Sequence, residues 1–266
     1  MRTVVLHARS PAWRAAALRA AELIKGPDFR PLKAEGRTLA GFIDVPGAGR
    51  AFLKRVESPS WRRGIAERAR GSRAARALKG AAMLKAAGLA HPEPIAAVEA
   101  YHAGALRYCY LISEPLDRAE SLSRFALGPR GIRGRDVRRL RCISHAVAGQ
   151  VRRLHESGLY TRDLQETNVM VEGDNLTGYR VYFIDLEDFR RPGGKRPVSW
   201  ERRMLNLVHL DRSIGRFLCR AARLDFLYAY LGGRPARGDS RRIVAEILAM
   251  KSQIDRRKAR GGAKKS

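Results

Sequence analysis

Three side chains able to handle protons or metal ions fall within one short stretch, Tyr160–Asp188, which reads YTRDLQETNVMVEGDNLTGYRVYFIDLED. Asp163 comes first, Asn168 stands five residues later, and Asp185 closes the apolar run Val181-Tyr182-Phe183-Ile184. A carboxylate within hydrogen-bond reach of a hydroxyl can orient it and take up its proton as it attacks. An amide oxygen and a second carboxylate are hard ligands of the kind that magnesium selects. An Asp and an Asn at this spacing recur often by chance, so the elements that carry them decide the matter.

Those elements are legible around the stretch. Asn168-Val169-Met170-Val171 and Val181-Tyr182-Phe183-Ile184 read as two short strands, joined by a turn around Glu172 to Gly178 that is rich in Gly, Asp and Asn. Such a hairpin would hold Asn168 and Asp185 near each other at its open end. A long helix is expected from about Asp136 to Glu156, with Val137, Leu140, Ile143, Val147, Val151 and Leu154 on one stripe. His155 sits in its last turn, where a helix-terminal or core role outweighs a catalytic one.

Upstream, PAWRAAALRAAELIK from Pro11 to Lys25 predicts a short helix ended by Gly26-Pro27. Leu39, Gly41, Ile43 and Val45 alternate with less apolar neighbours, and Arg50 to Val56 follows a Pro-Gly-Ala-Gly turn, which predicts an antiparallel hairpin. Lys54 lies on its second arm, where a lone lysine is ordinarily a solvated charge. Ser72 to Ala87 reads as a helix, and no acidic residue occurs between Glu67 and Glu93. Ile95 to Glu99 and Leu106 to Ile112 are further strands, the second stopped at Ser113-Glu114-Pro115. Helical patterns resume at Ser199 to Cys219, Arg223 to Leu231 and Ser240 to Ile254.

Composition bounds the partners. The 266 residues carry 53 Lys plus Arg against 26 Asp plus Glu, a formal net charge of +27, which favours polyanionic partners or an anionic surface. Nucleic acid fits that number on charge alone, because no aromatic-basic motif or zinc spacing supports it; no specific nucleic-acid partner is expected. Cys109, Cys142 and Cys219 are too scattered for a disulfide framework, and they read as reduced, buried or half-buried thiols of a cytoplasmic protein. No apolar run suits a signal peptide or a spanning helix, so any membrane contact is expected to be peripheral.

Leu154-His155-x-x-Gly158, Arg162-Asp163-Leu164-Gln165-x-x-Asn168-Val169-Met170-Val171 and Phe183-Ile184-Asp185-Leu186-Glu187-Asp188 together resemble the lipopolysaccharide kinase family. These are the Kdo and heptose kinases of Gram-negative bacteria, a branch of the protein-kinase-like superfamily. Ser72 to Leu78 with Gly88 and Pro92-Glu93-Pro94 agrees with it, as do Asn206-Leu207-x-x-Leu210 and Phe226 to Leu231. The resemblance implies ATP and Mg2+ as cofactors, Asp163 as the catalytic base or hydroxyl-orienting residue, and Asn168 and Asp185 as the metal ligands. Lys54 would steady the nucleotide phosphates, Gly36 and Gly41 would belong to a reduced phosphate-covering loop, and Glu114 would mark the hinge where backbone groups meet adenine. Two departures stand out. Tyr160-Thr161 replaces the usual His ahead of Arg-Asp, and Ala77 takes the position of the helix Glu that pairs with the strand lysine. Lys54 must then find another carboxylate, with Glu67 as the candidate, or go unpaired.

The expected fold is α+β, two-lobed and protein-kinase-like, with a small antiparallel-sheet N-lobe and a mostly helical C-lobe. Its divisions would be a helical extension over 1–29, an N-lobe over 30–114, a C-lobe over 115–254 and a mobile basic tail over 255–266. The expected activity is phosphoryl transfer to a sugar hydroxyl of the lipopolysaccharide core, with lipid A and anionic membrane as partners. A kinase-fold binding module without turnover, or a kinase for protein Ser/Thr or a small molecule, is the alternative.

Overall fold

A computed structural model describes residues 1–127, 137–194 and 196–262, the backbone alone at 126–127 and 258–262. The chain divides into two units, one of Met1–Ala86, His91–Asp117 and Asp185–Asp188, the other of Ala87–Ala90, Arg118–Ile184 and Phe189–Ser266.

The first unit is built on a six-stranded antiparallel sheet. Its elements are β1 (Arg2–Ala8), α1 (Pro11–Leu18), α2 (Ala20–Leu23), β2 (Phe29–Glu35), β3 (Thr38–Val45), β4 (Gly49–Glu57), α3 (Trp61–Arg70), α4 (Arg73–Ala86), β5 (Pro94–His102) and β6 (Ala105–Ser113), with strand order β1-β5-β6-β4-β3-β2. Side chains alternate across a strand, so neighbouring residues of β4 serve opposite faces. Ala51 and Leu53 join the core around Trp13, Ala16, Ala17 and Ile24. Val56 packs instead with Ala74 and Cys109 on the α4 side, and the same alternation gives Lys54 to that face. A one-residue slip would send the lysine into the apolar core, so the register Lys54↔Leu111 is part of the site.

The second unit holds β7 (Glu120–Ser121), α5 (Leu122–Leu127), α6 (Val137–Glu156), β8 (Tyr160–Thr161), β9 (Val169–Asp174), β10 (Gly178–Phe183), β11 (Phe189–Arg190), α7 (Trp200–Ile214), α8 (Arg220–Leu231) and α9 (Arg237–Gly262). The hairpin of β9 and β10 pairs from Val169↔Phe183 to Asp174↔Gly178, and β7 adds a third strand. Ile143, Val147, Val151 and Leu154 of α6 are almost wholly buried. Each such side chain contributes about 2 kcal/mol of burial, which fixes α6 and thereby the loop that follows it.

Several expectations change. Residues 2–8 form a strand on β5, so the first 29 residues are not a purely helical extension; the free edge of β5 supplies the pairing that the sequence pattern does not announce. The helix of Pro11 to Lys25 breaks at Arg19 into α1 and α2. Lys54 stands on the fourth strand, because β1 and β2 precede the hairpin that the pattern predicts, and α3 is a further helix that the pattern does not predict. Residues 185–188 group with the sheet unit although they follow the second unit's hairpin. The tail expected to be mobile from Asp255 continues as helix to Gly262: Arg, Lys and Ala favour helix, and Asp255 is tied to Arg212 of α7 at 2.7 Å. Residues 263–266 and Asp136 lie outside the described residues. Of the cysteines only Cys109 is buried, and Cys142 and Cys219 are exposed.

Candidate active site

Lys54 of β4 donates to Asp185 Oδ1 at 2.7 Å and to Glu187 Oε2 at 3.1 Å. The partner is therefore not Glu67, which lies on α3; it is a glutamate two residues beyond Asp185. Glu187 is nearly buried, at 6% exposure, and its other oxygen, Oε1, accepts from Arg73 Nη1 of α4 at 3.3 Å. Burial disfavours the charged ammonium of Lys54, but attraction from Glu187 and then Asp185 outweighs it and holds the Lys54 pKa above its ordinary value. For Glu187, burial pushes the carboxyl upward, against the pull of Lys54.

The chain reaches this arrangement through local strain and close packing. Asp185 has φ +57°, a left-handed conformation that Asp tolerates better than most residues, and backbone strain of this kind clusters at functional sites. The 3-10 turn Leu186–Asp188 follows at once. It sits directly against α4, where a Cβ on Gly80 would lie 1.9 Å from the Leu186 carbonyl oxygen. Only glycine admits that approach.

In the second unit, Asp163 follows β8 and Asn168 closes the 3-10 turn Glu166–Asn168. Asn168 Nδ2 donates to the Asp163 carbonyl at 3.0 Å and to its Oδ2 at 3.2 Å, and Gln165 Nε2 donates to Asp163 Oδ1. With its nitrogen committed to Asp163, Asn168 keeps Oδ1 as its acceptor oxygen. Ile184 N–H donates to the Asn168 carbonyl at 3.1 Å, which pins the hairpin's open end one residue before Asp185. The Asn168 amide oxygen and the Asp185 carboxylate are each hard oxygens of the kind that Mg2+ selects.

A buried network supports this loop. Asn206 of α7 donates through Nδ2 to the Thr161 carbonyl at 2.7 Å, so its Oδ1 is the acceptor for His155 Nε2 at 3.1 Å. His155 Nδ1 then accepts the Tyr230 hydroxyl at 2.8 Å. Burial pushes the His155 pKa down to about 4, so the ring is neutral near pH 7. Its role is structural, as its place in the last turn of α6 suggests.

The remaining candidates fall elsewhere. Gly36 lies in the tight turn between β2 and β3 with φ +57°, and Gly41 lies inside β3, where a Cβ would meet the Arg30 carbonyl oxygen at 2.3 Å. Strand packing thus accounts for a glycine at 41 without a nucleotide. Glu114 gives its N–H to the Glu93 carbonyl at 2.9 Å and its carboxylate to Arg9. The sequence pattern assigns no roles to Glu187, Asn206 or Gln165. Glu187 and Asn206 both lie in motifs that stand out in the sequence, but neither motif reveals what its side chain reaches.

The model of the lipopolysaccharide kinase (Kdo/WaaP) family matches residues 52–230. No curated protein matches the chain. Among solved structures, WaaP in complex with acyl carrier protein superposes with a TM-score of 0.65 at 21% identity, over 95% of this chain and 99% of that one. Vaccinia related kinase 3 aligns with a TM-score of 0.47 at 15% identity, over 83% of this chain and 80% of that one. The likeness to WaaP is one of fold, and it makes the architecture the two-lobed, α+β protein-kinase-like one.

Proposed function

The chain belongs to the lipopolysaccharide kinase (Kdo/WaaP) family of phosphotransferases, and from that premise we propose that it moves the γ-phosphate of ATP, with Mg2+, to a Kdo or heptose hydroxyl of the inner core. The observation that supports the reading most is the ion pair of Lys54 with Asp185, made between residues 131 positions apart in the chain. An ammonium and a metal-binding carboxylate held together are the pair that a nucleotide triphosphate requires. In this reading Lys54 steadies the phosphates, and Asn168 Oδ1 and Asp185 hold the ion. Bound Mg2+ would neutralise charge on the transferring phosphoryl group. Asp163, oriented by Asn168 and Gln165, takes the proton of the attacking sugar hydroxyl.

The +27 charge suits an acceptor bearing lipid A phosphates and Kdo carboxylates at an anionic surface. On its charge and its acceptor class we place the enzyme peripherally on the inner membrane's cytoplasmic face; no helix among the described residues is long and apolar enough to cross a membrane. A binding module without turnover is motivated by Ala77 standing where a helix Glu is expected. The abbreviated glycine loop motivates it as well; Glu187 answers the first motive alone, because it gives Lys54 a carboxylate. The test is transfer of labelled phosphate from ATP to Kdo-lipid A with Mg2+, beside Asp163→Ala and Asp185→Ala. Transfer by the parent that both substitutions abolish is expected; transfer that survives either unchanged would refute the assignment.

A further inference from the structure

We propose that Glu187 is the positioning residue for Lys54 and that Arg73 couples it to α4, so that the lysine's carboxylate comes from the turn after Asp185 and helix α4 contributes the cation. The inference rests on the phosphotransferase reading and goes beyond it by naming how the phosphate-binding lysine is held.

The geometry is a bridge. One oxygen of Glu187 takes Lys54 at 3.1 Å from β4 and the other takes Arg73 at 3.3 Å from the first turn of α4. Arg73, Ala77, Gly80 and Ala81 lie on one face of the helix by their spacing, and that face meets the 186–188 turn. Gly80 lets the helix touch the Leu186 backbone, and Ala77 lines a small cavity together with Lys54, Arg73 and Glu187. A carboxylate at position 77 would project into that cavity. The site has therefore placed the acid on the opposite wall and used a small residue where the helix would otherwise carry it. Because Asp185 and Glu187 share one short turn packed on α4, Glu187 ties Lys54 of β4 to Arg73 of the helix through that turn. Helix α4 is in this way locked to the metal-binding turn by contacts intrinsic to the fold.

The test compares wild type, Glu187→Gln, Arg73→Gln, the Arg73→Gln/Glu187→Gln pair and Glu187→Gln/Ala77→Glu, with Glu187→Gln/Ala77→Gln as the uncharged control. MgATP binding by calorimetry is read beside transfer kinetics at several Mg2+ concentrations. Misplacement of a positioning group costs up to about 100-fold, so Glu187→Gln should lower kcat/KM for ATP by about that factor, with the Mg2+ requirement unchanged. Arg73→Gln should lose less, in the same direction, and the two losses should not add, as expected for one network. Ala77→Glu should recover at least about tenfold of the Glu187→Gln loss, and Ala77→Gln should not. A raised Mg2+ requirement in Glu187→Gln would make Glu187 a metal ligand and overturn the proposal. Additive losses for the Arg73 pair would overturn it too, and they can be measured even if the Ala77→Glu protein does not fold. Should the wild type bind MgATP yet transfer nothing to Kdo-lipid A, the acceptor reading fails and the binding series still decides the role of Glu187.

Discussion

Asn206 of α7 donates its side-chain N–H to the Thr161 carbonyl at 2.7 Å, two residues before Asp163. A helix more than forty residues downstream thereby fixes the strand that delivers the candidate base. The same amide accepts from His155, so one side chain satisfies two buried groups.

Asn206→Leu should therefore leave the Thr161 carbonyl and the His155 Nε2–H without partners. Each buried orphan costs about 1–3 kcal/mol, so chemical denaturation should report a loss of roughly 2–6 kcal/mol. Transfer should fall alongside it, because Asp163 would lose its fixed backbone. Unchanged stability would show that the network is dispensable.

Asp163→Asn keeps the size of the side chain and removes its basicity. General-base catalysis contributes about 100- to 10,000-fold, so kcat should fall within that range. The KM for ATP should stay within about twofold, since Asp163 is given no role on the nucleotide in this reading. A large rise in that KM with little change in kcat would move Asp163 out of the chemistry.

Gly80→Ala tests the approach of α4 to the Leu186 turn. Alanine is the better helix former by about 1 kcal/mol, so a free helix would be stabilised. Here the added Cβ would lie 1.9 Å from a backbone oxygen, and the helix or the turn must shift. Overpacking of this kind costs about 1–3 kcal/mol, which reverses the sign: the melting temperature should drop, and the affinity for MgATP should drop with it. A rise in melting temperature would refute the close contact.

The buried His155 predicts an acid-sensitive second unit. Burial first of all depresses its pKa from 6.5 to about 4, so the unfolded chain binds the extra proton across that interval and the folded one does not. Its contribution is complete above pH 6.5 and is lost as pH falls through about 4, a change of about 3 kcal/mol at most. Denaturation midpoints measured across that interval should fall for the parent and fall less for His155→Gln. Equal slopes would assign the acid sensitivity to other groups.

Near-neighbour relations were legible in the sequence, because they depend on local pattern. The Asp163-to-Asn168 spacing, the hairpin leading to Asp185, and the stripe of α6 ending at His155 need only a turn, a period of two and a period of 3.6. Strand β1 and helix α3 were not legible: β1 is half-exposed with weak alternation, and α3 is arginine-rich and seated by Gly64 against the Leu106 backbone, so tertiary pairing decides both.

The sequence by itself determined which chemistry-bearing residues stand together in the chain and the family to which they belong. Only the tertiary structure decided which carboxylate holds Lys54. Glu187 lies 133 residues away, and nothing in local periodicity distinguishes it from Glu67 or Asp188. The choice follows from the face of β4 that carries Lys54, the left-handed turn at Asp185, and a glycine that lets α4 touch that turn. Each is a matter of what fits in space once the chain has closed on itself.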